Sequence, residues 1–264
     1  MYKKFFLIFT LIFAAFFFLV IYSGFFGNPL SKHIVKTKSE EYINEKYSDT
    51  DYYIEKVFYS FKDNRYHTFI KSKSSIDTYF SLKFDSFGNF IYNNFDSLVT
   101  SKHNTFDRIN KEYRDKTDSL LNKMPYKSNI EFGEIKSNEH SDDMIEFGID
   151  VGSLELDKKY DIYELGKSYG SITYYVYDKD VSVEKIKEIL LKLKNEFDSN
   201  HTSFYAINLY LKDIEGYEEK KYKEVINIES FLYSDIKEDI IEGKIKESII
   251  KTKEHYNTLE KEGY

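Results

Sequence analysis

The residues with the plainest chemical potential are Gly166-Lys167-Ser168, six histidines and one acidic loop. Gly-Lys-Ser closes a phosphate-binding loop in which backbone N–H groups and the lysine cradle phosphates. That loop needs a glycine five residues before Gly166, and Asp161 stands there. Tyr169-Gly170 then leads toward a strand, not toward the helix whose N-terminus would hold phosphate. The tripeptide therefore reads as a turn, with Gly166 ending a helix and Gly170 opening a strand. The histidines at 33, 67, 103, 140, 201 and 255 show neither the HExxH nor the HxH spacing of a zinc site. His140, Asp142, Asp143 and Glu146 form one dense polar cluster. Its oxygens suit a hard cation, but it lacks an EF-hand register and reads more simply as a solvated loop.

The chain has no cysteine, which removes disulfides, thiolate metal sites and thiol nucleophiles. No Gly-x-Ser-x-Gly elbow occurs. The 45 acidic residues place carboxylates side by side everywhere, and none stands out as an acid/base pair. No catalytic, cofactor-binding or metal-binding residue is nominated, and no cofactor is expected. The 25 tyrosines give one further surface. Tyr52, Tyr53, Tyr59, Tyr66, Tyr79 and Tyr92 fall on expected strands of a first sheet; Tyr174, Tyr175, Tyr177, Tyr205 and Tyr210 fall on those of a second. Aromatics ordinarily fill strand faces with their hydroxyls at the rim. An exposed aromatic face would instead stack on glycan or receive a peptide.

These positions need a scaffold, and the spacing of apolar residues supplies one. Residues 31–47 carry an apolar helical stripe after Pro29, with Ser31 as a plausible cap. Strands are expected at 53–61, 66–71, 78–85 and 90–92, then a helix at 98–123. Beyond Met124-Pro125 the pattern gives a short strand at 129–132, a helix at 154–165 and a strand at 171–177. A helix at 183–197 repeats apolar residues at spacings of three and four. Strands at 204–211 and 225–233 and a helix at 236–259 complete the chain. The orders are α–β–β–β(–β)–α and β–α–β–α–β–β–α. The expected class is α+β: an N-terminal transmembrane helix followed by two small helix-on-antiparallel-sheet units, at 27–126 and 127–264.

The membrane expectation rests on Phe5 to Phe26, 22 residues without a charge. As a helix they would run roughly 33 Å, enough for a hydrocarbon core. Residues 1–4 would be a short cytoplasmic tail. The expected location is the cell membrane, single-pass, with the large C-terminal domain outside the cytoplasm. Residues 27–264 carry 36 basic and 45 acidic groups, because of the 38 bases only Lys3 and Lys4 precede them. That balance of −9 disfavours nucleic acid as a partner. A local basic patch at Lys32, Lys36 and Lys38 remains open.

Gly27-Asn28-Pro29-Leu30-Ser31-Lys32 and Glu41-Tyr42-Ile43-Asn44-Glu45-Lys46-Tyr47 resemble the opening of the YfjL-like proteins of Firmicutes. Tyr59-Ser60-Phe61-Lys62, the run Lys71 to Phe80, and Thr105-Phe106-Asp107-Arg108 extend the likeness over about residues 27–120. Where the family pattern carries an Asp-Tyr pair, this chain has Asn93-Asn94-Phe95. The resemblance implies a membrane-anchored bacterial protein without an established activity, and it carries over no catalytic residue. The expected function is a non-enzymatic binding module at the cell envelope, with an envelope protein, peptide or glycan as partner. The alternatives are an enzyme with a spatially assembled site, or a tethered regulatory or sensory subunit pairing through Phe13, Phe16 and Phe17.

Overall fold

A computed structural model describes residues 2–139, 145–218 and 222–262. The chain divides into two compact units: residues 1–105 with 155–157, and residues 106–154 with 158–264.

In the first unit α1 (Tyr2–Phe26) leads through Gly27 into α2 (Pro29–Lys46). Gly27 sits at φ +78, and a Cβ there would lie 2.6 Å from that of Tyr59. Asn28 caps α2, its side chain accepting from the Leu30 N–H, and Pro29 supplies a preset φ at the first helical position. Four antiparallel strands follow in sequential order: β1 (Tyr53–Ser60), β2 (Arg65–Lys71), β3 (Tyr79–Phe84) and β4 (Phe90–Asn93). Strict alternation in β2 and β3 buries Tyr66, Thr68, Ile70, Phe80, Leu82 and Phe84 on one face. Val35, Ser39 and Ile43 of α2 close over that face.

Among the described residues no helix is long and apolar enough to cross a membrane. The expected span at 5–26 is corrected accordingly. So are the single-pass topology and the location in the cell membrane.

The unit boundary falls within α3 (His103–Leu121). The expected helix at 98–123 is shorter at both ends. Residues 96–100 form a π turn, and Lys102 takes φ +67 before α3 begins. The second unit contains β5 (Glu131–Ile135), α4 (Ile162–Tyr169), β6 (Gly170–Asp178), α5 (Val183–Ser199), β7 (Ala206–Asp213), β8 (Val225–Leu232) and α6 (Ile241–Glu262). Its sheet runs β5-β6-β7-β8, with β6 and β7 parallel and the outer pairs antiparallel. The sheet is therefore mixed where an antiparallel one was expected, because α5 carries the chain back between β6 and β7. Ile186, Ile189, Leu190, Leu193 and Phe197 of α5 are fully buried.

The helix expected at 154–165 does not form there. Asp157 is left-handed at φ +62, and Asp161 caps α4 by accepting from the Tyr163 and Glu164 N–H groups. Gly166 thus lies inside a helix and does not end one. A Cβ at Gly166 would overlap the Ser203 carbonyl and the Tyr113 ring, so the glycine permits close packing. The last helix starts at Ile241, not 236, because Tyr233–Asp235 form a 3-10 turn.

Candidate functional site

β1 is an open edge strand of the first unit. It pairs with β2 on one side only, and of its eight residues Val57 alone is buried. A register shift between Ile54 and Lys56 marks a bulge, after which Lys56 to Ser60 pair regularly with Phe69 to Arg65. Bulges bend a strand and leave a residue outside the ladder. A cleft of about 380 Å³ opens beside it, lined by Pro29, Lys32, His33 and Lys36 of α2 and by Ile54, Glu55, Lys56 and Val57 of β1.

Local sequence builds that cleft. The Asn28 N–H donates to the Tyr66 hydroxyl at 2.5 Å, and that hydroxyl donates to the Asn28 carbonyl at 3.2 Å, fixing the start of α2 against β2. Further along α2 the Ser39 and Thr68 hydroxyls bond at 2.7 Å, fully buried. With Val35, Ser39 and Ile43 committed to the core, the adjoining rows Pro29/His33 and Lys32/Lys36, each four residues apart, are left to border β1.

The cleft has a surplus of positive charge. Its one acid, Glu55, is held 2.6 Å from Lys71, which raises the lysine's pKa. Lys36 approaches Glu40 at 3.9 Å, with both side chains more than half exposed. Among the described residues Lys32 and Lys56 have no carboxylate partner. The Lys56 ammonium lies 5.6 Å from the rings of both Phe58 and Phe69. Of the basic patch expected at 32, 36 and 38, the first two residues enter the cleft. Lys38 turns to Glu41 at 2.6 Å.

Lys56 also belongs to the sheet face turned away from α2. The register brings Tyr53, Lys71 and Tyr79 into one row, Lys56, Phe69 and Ser81 into a second, and Phe58, His67, Lys83 and Tyr92 into a third. Phe58 stacks on His67 at 5.3 Å. Phe58 and Tyr53 are 41% and 37% exposed, so aromatic surface adjoins the open edge. Asp63 lies beneath this face. Partial burial opposes its ionisation, but hydrogen bonds from Lys83, Ser60 and His67 outweigh that and hold its carboxyl down to about 2.

The other expected tyrosines divide by face. Tyr66 and Tyr174 are core residues. Tyr175 stacks on Tyr210 at 4.3 Å on the second sheet, with Lys212 4.9 Å from the Tyr175 ring, so this cluster already contains its own cation. Of the histidines, His33 lines the cleft, His67 meets Asp63 at 3.2 Å, and His201 stacks on Tyr163. His103 lies 2.8 Å from the Ser101 hydroxyl, and His255 packs near Tyr256. His140, Asp142 and Asp143 of the polar cluster lie outside the described residues. Among the described residues no group of three or more histidines and carboxylates could hold a metal ion.

Two sites that look chemical are structural. Asp77, 1% exposed, accepts from the Thr105 hydroxyl and the Asp157 N–H, each at 2.9 Å. Asp157 answers by accepting from the Asp77 N–H and the Ser75 hydroxyl, both at 3.0 Å. Asp77 and Thr105 both belong to the runs singled out above, and their spacing reflects this knot. At Asn93-Asn94, Asn93 donates to the Tyr42 hydroxyl at 2.8 Å and Asn94 accepts from the Ser81 N–H at 2.6 Å. Sequence reasoning missed Lys56 as a site residue, because the cleft that it borders with Lys32 and Lys36 forms only where α2 packs beside β1.

Residues 2–93 match the YfjL-like N-terminal domain, and residues 112–246 match the YfjL-like C-terminal domain. No curated protein matches the chain. No solved structure matches it either.

Proposed function

The chain belongs to the YfjL-like family, whose function is unknown, and we propose that it is a non-enzymatic binding protein that takes an extended polypeptide segment along the edge of β1. The observation that carries this reading is the unpaired edge of β1 beside the cleft under α2. An edge strand presents a row of N–H and C=O groups that an incoming strand can satisfy, while pockets beside it select side chains. Bulges and lysines are also devices that guard edges against aggregation. A guard alone needs no cavity, whereas here the bulge and Lys56 border one.

The test uses peptides selected from a random library on the full-length chain. Strand addition predicts slowed amide exchange in residues 53–60 on binding. It also predicts that N-methylation of the peptide backbone abolishes binding at alternate positions only, because alternate N–H groups face the ladder. Uniform tolerance of N-methylation, or protection confined to another strand, would refute it.

A further inference from the structure

The same cleft carries information about what the segment must contain, and the inference here rests on the edge-binding reading above. We infer that the bound segment is an alternating peptide, acidic at the positions facing α2 and aromatic at the positions between. Successive side chains of a strand point to opposite faces. A strand laid beside β1 would therefore present every second side chain to the α2 side of the sheet and the others to the outer face. On the α2 side the lining offers Lys32, His33 and Lys36, with Lys56 at the margin. The one carboxylate there, Glu55, is taken by Lys71 at 2.6 Å. Incoming carboxylates would meet Lys32 without displacing an acid of the protein, and Lys36 against only its exposed 3.9 Å contact with Glu40, which is the complementarity that sets partner choice.

On the outer face the neighbours are different. Phe58 and Tyr53 leave 41% and 37% of their surface exposed, and the Lys56 ammonium lies 5.6 Å from the Phe58 ring. An aromatic side chain placed there would cover exposed ring surface and the aliphatic stem of Lys56. A like-charged lysine or arginine would be repelled on both faces. The chain as a whole is acidic, with a formal charge of −7, so this local excess of cations runs against the overall balance.

The probe is a capped peptide with glutamate at every second position and tyrosine between, added to the full-length chain. Its controls are the same peptide with glutamine for glutamate, and one of the same composition with the glutamates contiguous. The alternating glutamate peptide should slow exchange in residues 53–60 and bind on the order of tenfold more tightly than either control, with the advantage shrinking as salt rises. In the Lys32→Glu/Lys36→Glu chain the glutamate advantage should disappear, while the glutamine peptide still protects 53–60. That retained protection shows that the variant is folded. Equal affinity for the glutamate and glutamine peptides, with both protecting 53–60, overturns the acidic preference and leaves edge binding intact. Equal binding of the contiguous peptide overturns the alternation. No protection of 53–60 by any peptide overturns both the inference and the edge reading. Tighter binding of a single-stranded oligonucleotide of equal charge assigns the cations to nucleic acid and overturns the inference.

Discussion

The two sheets contain four strands each and treat their edges differently. In the second unit α6 packs along β8, where the Thr252 hydroxyl accepts from the Glu229 N–H at 3.2 Å. In the first unit α2 covers the face formed by β1 and β2 but leaves a cleft where it meets the β1 edge. Both sheets have outer strands paired on one side only, and a cleft borders one such strand in each unit. The cleft at β8 and α6 carries Glu229, Asp235 and Glu247 beside Lys244 and Lys251, whereas the cleft at β1 and α2 carries Lys32, Lys36 and Lys56 against one acid, Glu55. On the edge-binding proposal recognition falls to the first unit, while the larger buried core lies in the second.

That division breaks most visibly at Gly166. An added methyl would press on the Ser203 carbonyl and on Tyr113, whose hydroxyl donates to that same carbonyl at 3.0 Å. Gly166→Ala should cost about 3 kcal/mol or more, the upper range for overpacking a core. Urea denaturation of the full chain checks it. A loss below about 1 kcal/mol would mean that the second unit is less tightly packed than described.

The next largest effect belongs to the knot in the first unit. Asp77→Ala leaves the fully buried Thr105 hydroxyl and the part-buried Asp157 N–H without their acceptor. The expected cost is about 2 kcal/mol, the desolvation penalty of unpaired groups. Limited proteolysis should show new cleavage near residue 157 before global unfolding. If stability and cleavage are unchanged, segment 155–157 is held by Leu156 packing and by the bonds that the Asp157 carboxylate accepts from the Asp77 N–H and the Ser75 hydroxyl.

Lys32→Glu/Lys36→Glu sharpens the contrast from the other side. Both lysines are exposed, so the stability cost should stay within about 0.5 kcal/mol even though the cleft charge reverses. Thermal melts check the first quantity, and the peptide titration described above checks the second. A large stability loss would make these lysines structural.

How much of this was legible beforehand follows from the range of the forces involved. The order of elements in both units could be read, because helix and strand periods are written locally in runs such as Ile186 to Phe197. Single residues decided the misses. Asp157 at positive φ and the Asp161 cap moved a helix, and neither has a periodic signature. The parallel pairing of β6 with β7 is a tertiary outcome of where α5 packs. The 22-residue uncharged run was legible as a helix, and α1 is one; crossing a membrane is a further property that no described helix meets. In the candidate site, Lys32 and Lys36 were visible as a basic pair. Glu55, Lys56 and Lys71 were not, because strand pairing commits Glu55 to Lys71 and only the packing of α2 beside β1 brings Lys56 to the same cleft. Asp77 and Thr105 were visible only as members of a family pattern, without the reason that they bond.

The smallest effects test the comparison through pH, with opposite signs in the two units. Asp63 is held down to about 2 in the folded first unit, against about 4 for an ordinary aspartate. It therefore contributes stability that is fully present above about pH 4 and is lost as pH falls toward about 2. Asp118, on α3 in the second unit, is shifted the other way. Burial raises its pKa, and the Arg114 charge and the Gly133 N–H only partly offset that. One of its carboxylate oxygens is buried without a partner. Below the ordinary aspartate pKa it is protonated in both states. As pH rises, the unfolded chain ionises first, so stability is lost until the folded carboxyl ionises too. Asp63→Asn should destabilise at neutral pH and become silent near pH 2. Asp118→Asn should be silent in acid and stabilising at neutral pH. Solvent screening keeps each difference within about 1 kcal/mol. Parallel denaturation series at several pH values read both, and two curves of the same sign would mean that the second unit buries no carboxyl against its preference.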